Sequence, residues 1–112
     1  MAVELNAKGA EYARNLIQQA RFDLVGDWAS NQPTPEQGDA YLADHSFEEY
    51  GNWFLGVNMD ADANSKERYG FPIGNFKEIF RSGVIAAEQR AGQYGHEEIK
   101  KAAHELLEMM PK

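Results

Sequence analysis

The sequence predicts an all-α (mostly α) protein: a compact multi-helix single domain over residues 1–112, with one short extended segment near residues 22–33. Three observations lead there. Capping patterns recur four times between Thr34 and Glu78, and apolar residues recur at helical spacing in three segments. No window alternates polar and apolar residues convincingly enough to predict a sheet.

Taken in order, Ala10, Ala13, Leu16, Ile17 and Ala20 share one helical face and predict a first helix over residues 7–22. Residues 22–33 have no helical period and predict an extended loop with Trp28 turned inward. Thr34-Pro35-Glu36-Gln37 offers an N-cap hydroxyl, a proline at the first helical position and a glutamine at the third, which opens a helix over 35–44. Ser46-Phe47-Glu48-Glu49 repeats the box and opens one over 47–55. Asparagine caps at Asn64 and Asn75, each followed three residues later by glutamate, predict a short piece over 65–69 and a longer helix after it. Phe76, Ile79, Phe80, Val84, Ala87 and Ala91 mark that longer helix, which ends near Tyr94-Gly95. Gly70 and Gly95 stand where left-handed helix ends fall. From Glu97 onward, Ile99, Ala102, Ala103, Leu106, Leu107 and Met110 form the clearest apolar stripe in the chain. Of the adjacent Trp53 and Phe54, one is expected in the core and the other under a loop or at an interface.

A chain of 112 residues is one domain by size, and 43% hydrophobic content with 12% aromatics suits a folded globule. The absence of cysteine excludes disulfides, thiol nucleophiles and Cys-based metal sites, and fits a cytoplasmic setting. A net charge of −7 and a pI near 4.9 speak against nucleic acid, whose binding needs cations to displace phosphate counterions. The N-terminus lacks a basic start followed by an apolar run, so no secretory signal is expected, and no apolar stretch is long enough for a membrane span.

Charge is sorted along the chain. Residues 23–62 hold nine Asp and Glu and no Lys or Arg, whereas residues 66–91 gather five of the eleven cations. Asp60, Asp62 and Asn64 imitate the start of a calcium loop, but Ser65 and Phe71 stand where its glycine and bidentate glutamate belong. His104 and Glu108 lie one helical turn apart with His96 two turns earlier, short of three converging metal ligands with a supporting shell. No serine lies in a nucleophile-elbow pattern, so no catalytic residue, metal or cofactor is expected. The remaining candidates are Lys66, Arg68, Tyr69, Arg81 and Arg90. Guanidinium and ammonium groups beside a phenol suit an anion or carboxylate, although nine residues separate Arg81 from Arg90 and place them on opposite sides of one helix. The competing structural role is ion pairing with the acidic 23–62 stretch.

Trp53-Phe54-Leu55-Gly56, Lys66-x-Arg68-Tyr69-Gly70-Phe71-Pro72-Ile73-Gly74-Asn75-Phe76 and Arg81-Ser82-Gly83 with Ala86-Ala87-x-x-Arg90-Ala91 together resemble a group of small uncharacterised bacterial proteins. The C-terminal half is also similar to segments of phage-associated proteins. The resemblance implies a bacterial or phage setting and brings no activity with it. The function expected is that of a non-enzymatic accessory or protein-interaction domain. Its partner would be another protein or a second copy of the chain, with no membrane or nucleic-acid partner. The alternative is a small-ligand binding protein or enzyme that uses the 66–90 cluster on an anion or carboxylate.

Overall fold

The computed structural model describes residues 3–111; Met1, where the segment read for a secretory signal begins, lies outside them. Five short strands join the helices, so the fold is mixed α/β and the all-α expectation is corrected. Strands β1 (Val3–Leu5), β3 (Phe54–Asn58) and β4 (Tyr69–Pro72) form an antiparallel sheet in the order β1-β3-β4, with Leu5 opposite Gly56 and Gly56 opposite Gly70. β2 (Phe22–Asp23) pairs in parallel with β5 (Ile79–Phe80).

The extended segment expected near residues 22–33 does hold the short strand β2, while the other strands escaped notice for physical reasons. Each has two to five residues, too few for a period-two pattern to show. The longest, β3, buries Phe54, Leu55 and Gly56 in succession, so it does not alternate at all. The capping box at Ser46 does open a helix, but α4 stops at Gly51 (Phe47–Gly51), and Trp53 and Phe54 are both buried, with Phe54 already in the sheet. Asn75 caps no helix: its side chain accepts from the backbone N–H of Lys77 and Glu78 in a local turn. Ile79 and Phe80 then run extended, and the helix begins only at Arg81. Asn64 likewise does not cap; a short 3-10 turn, Lys66–Arg68, follows Ser65. Gly70 lies within β4 rather than at a helix end.

The remaining helices are α1 (Ala7–Gln18), α2 (Trp28–Asn31), α3 (Pro35–Asp44), α5 (Arg81–Gln93) and α6 (Glu97–Met109). α1 stops four residues short of the predicted 22. The capping boxes at Thr34 and Ser46 are complete, each hydroxyl accepting from the backbone N–H three residues on. α5 and α6 are joined through Gly95 at φ 75, where a left-handed residue reverses the chain. α6 packs on both α5 and α1, and all three helices lie against the sheet, enclosing Leu55, Ile73, Val84, Ile99 and Leu106. The same core extends to α3 and α4 as an aromatic group in which Tyr41 stacks on Phe76 and His45, and Tyr50 lies against Phe54. Among the described residues no helix is long and apolar enough to cross a membrane.

Candidate functional site

A cleft of about 400 Å³ opens between α2, β4 and α5. Each wall has a local cause. Asp27 caps α2 by accepting from the Ser30 N–H, and the hydroxyl of Ser82, on α5, donates to the Gly26 carbonyl at 2.8 Å. These two bonds tie the 26–31 segment to α5. The Trp28 ring then lies over Gly83, in the space where a β-carbon would stand, and 6.1 Å from the Phe80 ring. α5 presents Ala86, Gln89, Arg90 and Gln93 at helical spacing along one face, and Tyr94 follows at its end, 61% exposed. The Arg90 guanidinium lies 5.9 Å from the centre of the Tyr94 ring, a cation–π distance.

The third wall is Phe71 and Pro72 of β4. Phe71 has φ 61, a left-handed conformation that bulky side chains rarely adopt. Its ring covers Gly56 on the neighbouring strand and meets the His96 ring edge-on at 5.6 Å. Such outliers persist where surrounding packing over-determines them, and they concentrate at binding and catalytic sites. The cleft as a whole carries three aromatic rings, three glutamine amides and one arginine, with no carboxylate in its lining.

The four cations and one phenol singled out by sequence do not converge on one site. Arg90 alone lines this cleft. Lys66 pairs with Asp39 at 2.6 Å and donates to the Pro35 carbonyl, bracing the 3-10 turn against α3; the Asp39 carboxylate holds its pKa above the ordinary lysine value. That ion pair does reach into the acid-rich 23–62 stretch. Arg68 instead finds carbonyls: its Nη1 donates to Ala61 at 3.0 Å and, more weakly, to Asn58 and Met59. Tyr69 packs edge-on against Tyr50 and covers Gly51. Arg68 and Tyr69 are brought together, in a second cleft. Arg81 opens α5 with its Nε buried and without a hydrogen-bond partner among the described residues. His104 bridges α5 and α6, with Nδ1 3.0 Å from Glu88 and Nε2 3.5 Å from Glu108.

Sequence reasoning missed Trp28, Gln32, Phe71, Gln89, Gln93 and Tyr94 as a set. The spacing of Gln89 and Gln93 around Arg90 was a usable signal. The approach of Trp28 and Phe71 from segments over 40 residues apart was not. In comparisons with known proteins, no family model, curated protein or solved structure matched the chain.

Proposed function

We propose that this protein is a non-catalytic interaction domain that holds an extended peptide segment of a partner protein in the cleft between α2, β4 and α5. The observation that carries the reading is the pairing of walls: the Trp28, Phe71 and Tyr94 rings with the Gln32, Gln89 and Gln93 amides and Arg90. Aromatic rings take an apolar side chain at low entropic cost, and side-chain amides both donate to and accept from an extended backbone. Arg90 adds a cation for a carbonyl or an acidic side chain. A tight turn precedes Trp28 in the chain. There the Asp23 carboxylate accepts the N–H groups of Val25 and Gly26, and Leu24 and Val25 are left exposed, Val25 at 94%. The setting we infer is the cytoplasm of a bacterium or a phage-infected cell, from the absence of cysteine and the family resemblance.

The test is selection from a random-peptide display library on the wild-type protein, followed by affinity measurement on Ala86→Phe and Gln93→Ala. Ala86 lines the cleft, so a phenyl ring there fills it without adding a tryptophan. Selected peptides should lose about tenfold or more in affinity to Ala86→Phe. They should also protect Trp28 from a fluorescence quencher, because the other tryptophan, Trp53, is only 1% exposed. Peptides that bind wild type and Ala86→Phe equally would remove the proposal.

A further inference from the structure

We propose a second and separate site: the cleft between α1, α4 and the loop joining β3 to β4 binds a small carboxylate with a short apolar body. This cleft has a volume of about 410 Å³, and none of its lining residues is shared with the first. Its charged residues are Lys8, Arg68 and Glu48, two cations against one acid, which leaves a single positive charge inside a protein of net charge −7. Glu48 is already matched, since its carboxylate lies 3.1 Å from the Lys8 ammonium. Arg68 therefore carries the unbalanced charge.

The way Arg68 is held suits it to a ligand. Its three carbonyl contacts all run through Nη1, which anchors the guanidinium to the 58–61 turn. The Nε–Nη2 edge is a second two-donor fork, and such an edge matches the two oxygens of a carboxylate. The same cleft is lined by Tyr69, whose ring is fixed over Gly51, and by Asn52 and Asn64, whose side chains carry amides. Val57 and Met59 complete the lining and give an aliphatic tail somewhere to lie. One net charge balances a monocarboxylate, whereas inorganic phosphate is a mixture of mono- and dianion at neutral pH and has no tail to lie against Val57 and Met59. The apolar lining thus favours the monoanion with a tail.

The experiment is a titration of ¹⁵N-labelled protein with sodium butyrate at constant ionic strength, with parallel titrations of sodium phosphate and sodium chloride. Butyrate should give saturable shifts at the amides of Asn52, Asn64 and Tyr69, and neither phosphate nor chloride should match them. Arg68→Lys keeps the charge but loses the fork, and should weaken binding about tenfold. It also loosens the 58–61 turn, so Tyr69→Phe supplies a cleaner check: the packed ring stays, only the hydroxyl goes, and affinity should fall about fivefold. Ala86→Phe, in the other cleft, should bind butyrate as wild type does, whether or not peptides occupy that cleft. No saturable shift, equal shifts with phosphate, or Tyr69→Phe binding like wild type would each overturn the site.

Discussion

At Asp23 a single carboxylate shapes a whole turn. It accepts backbone N–H bonds from Gly26 and Val25, and these hold its pKa below the usual aspartate value. Glu49 is lowered in the same way by the Ser46 N–H of its capping box. A carboxyl whose folded pKa lies below its unfolded value of about 3.9–4.3 stabilises the fold above that range and loses its contribution as pH falls through the folded value. Lys66 works in the opposite sense: raised by Asp39, it stabilises below an unfolded value of about 10.4 and loses the effect as pH rises beyond it. Asp23→Asn preserves an acceptor oxygen while removing the titration. Its thermal midpoint should therefore fall less steeply than wild type's as pH drops below about 4. Parallel curves for the two proteins would show that the turn does not discriminate between charged and neutral acceptors.

Among the elements, α6 was the most legible in the sequence and α2 the least. The stripe from Ile99 to Met110 places Ala103 and Leu106 in the core as its spacing required, while Leu107 is only half-buried at the margin. Leu106 is 1% exposed, and truncating a buried leucine costs about 2–5 kcal/mol from lost transfer energy and the cavity left behind. Leu106→Ala should accordingly lower unfolding free energy by at least about 2 kcal/mol in urea melts, with Leu107→Ala costing less. A shift below that for Leu106 would mean the site collapses around the gap. α2 has four residues, too few for periodicity, and its only sequence sign was an Asp27 three residues ahead of Ser30. The pairing of the strands was hidden for a related reason: β2 and β5 have two residues each, and pairing between positions 22 and 79 leaves no local trace.

For the molecule as a whole, length and composition bounded the size of the core, but not its layers. What decides between a helical bundle and a sheet covered by helices here is long-range pairing, Val3 with Asn58 and Phe22 with Ile79. The candidate site was legible only in part for the same reason: Arg90 stood out by charge, whereas its companions Trp28 and Phe71 reach it through tertiary folding. Because α1 and α5 pack on both strand systems, and α6 joins them across the three-stranded sheet, the sheet and helices should unfold together. Far-ultraviolet circular dichroism, reporting backbone, and emission from buried Trp53, reporting the core, should give one coincident thermal transition with a mixed helix–strand baseline. Separated midpoints would divide the molecule into independently melting parts.

The β4 strand also decides how this protein can grip anything else. It stands at one side of its sheet in the order β1-β3-β4, and the outer side of such a strand is ordinarily a template for further chain. In β4, however, Pro72 has no N–H to offer and Phe71 is turned to φ 61 immediately before it. The ladder is therefore blunted at the place where it borders the aromatic cleft. In the proposed function, a segment entering the cleft would therefore be held by rings and side-chain amides rather than added to the sheet as another strand, and the same two residues that shape the cleft blunt the sheet's edge against uncontrolled stacking of copies.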